Sequence, residues 1–245
     1  MLILGSILRF IVNLLYPRRC PVCGGIVFPE KDLIHPSCVP KLSPVKSPSC
    51  KKCGKEVISE QAEYCYDCSR HPKTFECGMA LLNYNEAAKA SMAAIKYKNR
   101  REYLDFYADA LDYRFRKTIL RLRPDVLIPV PVHPSRRRKR GFNQAEELAV
   151  RLSHRWNIPV DPKLLIRKKK TAPQRELNPA ERLKNLRDAF AVNEEYGKTA
   201  GIPETVLLVD DIYTTGSTAE SCARALREAG VERVFVMVIC IGAGR

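Results

Sequence analysis

The chain is short of the features that define several large protein classes. Its 245 residues contain no Gly-x4-Gly-Lys-Ser/Thr pattern, which excludes a Walker phosphate loop. No apolar run approaches the roughly 20 residues that a membrane-spanning helix needs. Residues 1–16 are mostly apolar, yet Arg9 interrupts them, no basic segment precedes them and no small-residue cleavage site follows. They are expected to form an apolar-faced helix that docks on the body of the protein. Without an export signal the expected compartment is the cytoplasm, where closely paired cysteines favour metal over disulfides. Aromatic residues make up 8% of the chain, and beside its basic runs stand only Tyr97 and Phe142. Stacking platforms for bases are therefore scarce. Acidic residues are also few: 27 Asp and Glu against 42 Lys and Arg give a net charge of +15.

That excess is unevenly placed. Residues 86–187 hold 26 basic and 11 acidic side chains, while residues 188–245 hold 5 and 9. A polyanion, either nucleic acid or a phosphorylated ligand, is the natural partner of the middle of the chain. A hydrophobic fraction of 45% is ordinary for a protein with a real core.

The organising stretch is Val206 to Thr218, VLLVDDIYTTGST. Val206 to Val209 read as a buried parallel strand and Ala219 to Ala229 as a helix, with Gly230 as its C′ residue. Ser217 and Glu220 have capping-box spacing. The loop between them places backbone N–H groups at a helix start, where a phosphate is stabilised. Thr214, Thr215, Ser217 and Thr218 add hydroxyl donors, and Gly216 lets the backbone approach an anion. Asp210 and Asp211 stand at the strand's carboxyl end, where open α/β sheets bind ligands. Carboxylates there suit vicinal sugar hydroxyls, so a 5′-phosphorylated ribose would satisfy both halves.

Residues 17–70 contain a repeat. Cys20 and Cys23 recur as Cys50 and Cys53, and His35 and Cys38 recur as Cys65 and Cys68. Each unit is C-x2-C-x11-[HC]-x2-C, four soft ligands in two close pairs, which suits tetrahedral zinc. The first unit depends on a lone His, whose bland alternative is a surface residue. Pro40 to Ser49 read as a linker between the units. A region this small buries little core, so its metals should supply most of its stability. Closed four-ligand sites are structural or recognition elements rather than catalytic ones.

A second domain is expected from Phe75 to residue 245. It opens with a strand, Cys77 to Tyr84, and two helices, Glu86 to Tyr97 and Glu102 to Arg121. Asp125 to Val132 is a further buried strand whose second half leaves the sheet at Pro129 and Pro131. His133 to Gln144 follow, carrying five consecutive basic residues, Arg136 to Arg140. Such a run is either a ligand-binding loop or a solvated face. Asn143 caps Gln144 to Trp156. Arg167 to Lys170 form a second basic run, Phe190 to Val192 a short strand, and Arg233 to Ile241 the last strand.

The stretch from Asp210 to Thr218 resembles the phosphoribosyl-pyrophosphate (PRPP) signature of type I phosphoribosyltransferases. Together with the cysteine repeat, the segments IPVPVHPSRRRKRGFNQAEELA and KTAPQRELNPAERLKNLRDAF make the whole similar to ComF-type late-competence proteins. The resemblance implies an α/β fold with a type I phosphoribosyltransferase-like parallel sheet, preceded by a double zinc ribbon. It implies that Asp210 and Asp211 are the catalytic acids on the ribose 2′- and 3′-hydroxyls, and that Thr214, Thr215, Gly216, Ser217 and Thr218 wrap the 5′-phosphate. His133, Ser135, Arg136 and Arg140 would form the pyrophosphate loop. Lys170, Gln174 and Arg182 would belong to a flexible loop over the site. The implied cofactors are zinc and Mg²⁺ with PRPP. The implied partners are PRPP or a related phosphorylated ribose, single-stranded DNA and proteins of the competence machinery. DNA uptake and single-strand handling in transformation is one role to expect, and an active transferase with an unnamed acceptor is another. A docking adaptor is a third. Relatives usually carry Cys where this chain has His35, which bears on the first zinc site.

Overall fold

A computed structural model describes residues 17–29, 32–168 and 189–242. The apolar segment 1–16 lies outside the described residues, as do Lys170, Gln174 and Arg182. The body is a four-stranded, all-parallel sheet in the order β1 (Gly78–Asn83), β6 (Arg233–Ile241), β5 (Thr205–Tyr213), β2 (Val126–Pro129). Its central strands read VLLV and VFVMVICI because both of their faces are covered. On one face lie α2 (Glu86–Lys98), α3 (Tyr103–Leu122) and α5 (Gln144–Trp156), packing Met92, Leu104, Leu111 and Leu148 against Leu207, Val209 and Met237. On the other lies α7 (Ser217–Glu228), whose Cys222, Ala223 and Leu226 meet Val206, Leu208 and Val236. The fold class expected from the sequence, a parallel sheet with flanking helices behind a cysteine-rich ribbon region, is the one observed.

Local chemistry sets most boundaries. Asn85 and Asn143 accept backbone N–H bonds from Ala88 and Ala145 and start α2 and α5 as expected. β2 ends at Pro129, and Val130 N–H makes a further bond to its neighbour β5, to Val209 C=O at 2.9 Å. Phe190–Val192 (β4) pairs antiparallel with Leu165–Arg167 (β3), and Lys168 N–H donates to Ala189 C=O, joining the two ends of the segment 169–188.

Three expectations give way. The strand carrying the acids does not stop at Val209; β5 runs on to Tyr213, because Asp210 and Ile212 keep register with Val238 and Cys240. The basic run is not a loop but a short helix, α4 (Pro134–Arg140), started by His133 with Pro134 in its first turn and closed by Gly141 at φ +80°. The segment Pro40 to Ser49 is not a free linker. Its start belongs to a 3-10 helix, Pro36–Lys41, and Val45 N–H then donates to Leu81 C=O while Asn83 N–H donates to Ser43 C=O. Those bonds lay the segment along the outer edge of β1.

The two cysteine units consequently straddle that edge. The first lies on the α3 side, where Arg18 pairs with Asp105 at 3.1 Å and Val22 and Ile34 join the helical core. The second, with its helix α1 (Tyr66–Arg70), is part of the opposite core, in which Cys50, Cys53, Cys65 and Cys68 pack with Phe75 and Tyr213. Its contact with β1 is backbone on backbone: Gly78 N–H donates to Lys52 C=O at 2.7 Å. A Cβ on Gly54 would lie 2.7 Å from the Gly78 oxygen, so glycine is required at the joint.

Candidate phosphate pocket and metal centres

The loop 214–218 and Asp210 line one cavity of about 230 Å³, floored by Val130, Val236 and Val238. Gly216 sits at φ +75° at the entry of α7, and a Cβ there would meet Tyr213 Oη at 2.0 Å. Tyr213 cannot yield, since it is buried and stands edge-on to Phe75 with ring centroids 6.5 Å apart. The loop is thus shaped from beneath by a tyrosine that itself leans on the second cysteine unit. The expected capping box does not form. Ser217 is already in the helix, its hydroxyl lies 2.8 Å from that of Thr215, and Glu220 binds Thr74 instead. The start of α7 therefore has no side-chain cap, and residues 214–218 line the cavity.

The structure does not bring the two acids onto one face. Neighbouring residues of a strand point to opposite sides of the sheet. Asp210 lines the cavity. Asp211 is 5% exposed on the helical side, ion-paired with Lys96 of α2 and accepting Gln144 Nε2–H at 3.2 Å. Burial, and then the Asp211 charge beside it, raise the Asp210 carboxyl well above the usual range, against the Asp211 N–H and Lys96, which lower it. Two carboxylates therefore share one lysine, which lies on the far side from the cavity. Asp210 is the acid that faces the ligand space.

Of the residues expected to hold pyrophosphate, His133 Nδ1 accepts the Ser135 N–H at 3.2 Å as a helix cap. Arg140 lies over the Tyr97 ring at 5.2 Å and donates to Gln144. Arg137 pairs with Glu146 at 3.1 Å. Sequence reasoning missed Arg167 of β3 as an individual. Its Nε is buried without a hydrogen-bond partner among the described residues, and burial and then the nearby Arg136 push it below its ordinary value. Lys96 was missed too, for want of any local signal.

Both cysteine units gather four ligand atoms within 4.8 Å of one another. A tetrahedral zinc with bonds near 2.3 Å spaces its sulfurs about 3.8 Å apart, and Cys53 and Cys65 Sγ are 3.6 Å apart. The structure brings His35 into the first unit. Its Nε2 lies 2.8 Å from the Ile26 carbonyl, which can only accept, so the proton sits there. Nδ1 then presents its lone pair beside Cys23 Sγ, at 3.2 Å, the orientation of a metal-binding imidazole. Burial raises the Cys20 thiol, but N–H donors from Cys23, His35 and Val22 outweigh it and bring it down to about 7. The donor set fits zinc in both units. They differ in access: the second is fully buried, whereas Cys23 is exposed and His35 half-exposed. A chelator is expected to take the zinc held by Cys20, Cys23, His35 and Cys38 first, giving two phases in a colorimetric release assay. A single phase carrying both metals would contradict this order.

A family model described as "Double zinc ribbon domain" matches residues 11–69. Competence protein F of Haemophilus influenzae is 31% identical over 222 residues, spanning 89% of this chain and 94% of its own length. The chain belongs to the ComF family of competence proteins. Competence protein ComFC of Bacillus subtilis is 28% identical over 206 residues, 79% of this chain and 78% of its own. The DNA utilization protein YhgH of Salmonella typhimurium is 28% identical over 195 residues, 78% of this chain and 83% of its own. A solved purine phosphoribosyltransferase from Pyrococcus horikoshii aligns with 57% of this ComF protein and 84% of its own chain, at 17% identity and a TM-score of 0.32. Among the described residues no helix is long and apolar enough to cross a membrane.

Proposed function

We propose that this ComF protein binds PRPP with Mg²⁺ in the pocket of Asp210 and the loop 214–218, and that its basic surface handles single-stranded DNA during competence. The observation that carries the first part is the placement of one half-buried carboxylate and a hydroxyl-rich helix start around the same 230 Å³. In this reading Asp210 faces the ribose hydroxyls, and the Mg²⁺ that arrives with the diphosphate would favour its ionised form. Asp211 anchors the strand to α2 rather than touching the sugar. On this reading residues 17–70 are the ribbon unit and 75–245 the domain that carries the pocket. The relatives' names, competence and DNA utilization, support the role in DNA uptake.

An active transferase is the second reading, and Arg167 favours it. Two guanidinium groups, Arg136 and Arg167, are near enough to disturb one another, and the Arg167 Nε has no hydrogen-bond partner among the described residues. A diphosphate leaving group is the charge such a pair would stabilise. The residues would act by orientation and by charge placed in advance, so no nucleophile is needed.

Asp210→Asn tests the pocket. It is expected to abolish Mg-PRPP binding in isothermal titration. It should also raise stability at neutral and alkaline pH. A carboxyl whose folded pKa is raised favours folding below its unfolded pKa, and that favour is lost as pH rises through the folded value. Asn removes the charge, so the melting temperatures of mutant and native protein should converge in acid and separate above. PRPP binding undiminished in the mutant would remove the assignment.

The DNA part is tested on α4. Arg137 and Arg140 are already engaged, leaving Arg136, Arg138 and Lys139 for phosphates. At roughly 0.7 per contact, neutralising all five should flatten the log–log salt dependence of single-strand binding by at most about 2. An unchanged slope would leave the helix as a solvated face.

A further inference from the structure

Thr215 and Ser217 belong to two cavities at once. On one side is the pocket just described. On the other is a cleft of about 540 Å³ between α7 and the chain leaving α1. Its ribbon wall carries Arg70, His71 and Lys73, and its α7 wall carries Arg224 and Glu220. Two acids border it, and both are committed elsewhere. Glu220 accepts the Thr74 N–H at 2.9 Å and the Thr74 hydroxyl at 3.1 Å. Asp67 is held by Lys55 at 2.9 Å. Glu220 keeps its charge and Arg224 also reaches Glu228 at 3.6 Å, but Arg70, Lys73 and Arg224 outnumber the acid on the cleft walls, so its net charge is positive. Arg70 lies 4.5 Å over the ring of Tyr66, which is 58% exposed, so a flat surface adjoins the charge. The partition between pocket and cleft is the Thr215–Ser217 hydroxyl pair.

A ribose 5-phosphate held in the pocket would put its phosphate on that partition. A monoester ends there. A diester continues through its second ester oxygen, and the space beyond is lined with the donors that bind phosphate. We infer that the cleft takes a second phosphate, joined to the pentose in the pocket through its 5′-phosphate, so that the site holds the last nucleotide of a single nucleic-acid strand with the preceding nucleotide against the ribbon. This rests on the pocket reading given above. It joins that pocket to strand handling through named residues: Arg70, His71 and Lys73 from the ribbon and Arg224 from α7. A 5′-diphosphate presents similar chemistry, and the experiment separates the two sources.

The zinc-loaded full chain is titrated calorimetrically, with Mg²⁺, against AMP, ADP and the 5′-phosphorylated dinucleotide pApA. The dinucleotide is expected to bind about tenfold tighter than AMP, the worth of one good charge-assisted contact, and tighter than ADP. Arg70→Gln with Lys73→Gln should remove that gain and leave AMP unchanged. Arg224→Gln, on the opposite wall, should reduce it independently of the ribbon. Zinc content and melting temperature equal to the native protein's confirm that each variant is folded. Equal affinity for pApA and AMP would overturn the inference while the pocket stands. So would a dinucleotide gain that survives all three substitutions. An ADP gain as large as that of pApA, lost in the same variants, would replace the strand by a diphosphate. Failure of both AMP and PRPP to bind would remove the pocket itself, and the inference with it.

Discussion

Replacing Cys53 with Ala is expected to unfold the sheet as well as the ribbon. The second zinc unit is not an appendage, because its four cysteines share one core with Phe75, Tyr213, Val236 and Leu208. Zinc held by such a unit contributes about 10–16 kcal/mol of apparent binding, which equals or exceeds the 5–15 kcal/mol that keeps a typical domain folded. The variant should carry one zinc fewer by elemental analysis and show no cooperative melt of the body. Cys23→Ala, at the exposed first unit, is the control. It should also lose one zinc yet keep most of the melting temperature. A fall of less than about 4 °C in the Cys53 variant, about 1 kcal/mol for a chain this long, would show that the second unit is energetically separate.

Lys96→Met is the other large effect. It strands the Asp211 carboxylate, whose side chain is 7% exposed, with Gln144 as its remaining side-chain donor among the described residues. Removing one partner of a buried pair costs about 3–5 kcal/mol, chiefly because the other charge stays buried. Urea denaturation should show a loss of that size with an unchanged slope. Adding Asp211→Asn should recover much of it, since the neutral amide no longer needs the cation. A single-mutant loss below about 1 kcal/mol would mean that Lys96 behaves as an ordinary surface charge.

What could be read from the sequence follows from the range of the signals. Asn143 and Trp156 bound their helix as expected because a cap and a left-handed Asn157 are local devices. Arg233–Ile241 was visible because a strand covered on both faces is apolar throughout. The cysteine repeat was visible because metal geometry fixes its spacing. Other features depend on residues distant in the chain. Glu220 looked like half of a capping box until Thr74 took it. Val45 lies along β1 for reasons that belong to Leu81 and Asn83. The opposed directions of Asp210 and Asp211 follow from β5 continuing beside β6, and Lys96 reaches Asp211 from a helix more than a hundred residues earlier.

The cover of the β1 edge bears on how the molecule is made. Among the described residues β1 pairs with β6 in the sheet, and its other side meets Ser43 to Val45. A ribosome adding roughly 5–20 residues per second completes β1 at Asn83 and reaches β6 at Arg233 only about 150 residues later. For roughly 8–30 seconds the β6-facing edge of the nascent strand stands open, and the ribbon segment covers its other edge. Exposed strand edges recruit other chains. Zinc supply during translation, and not merely in the finished protein, therefore sets how much chain escapes aggregation. Cells expressing it under zinc limitation should lose it to inclusion bodies, even when the metal is restored after synthesis.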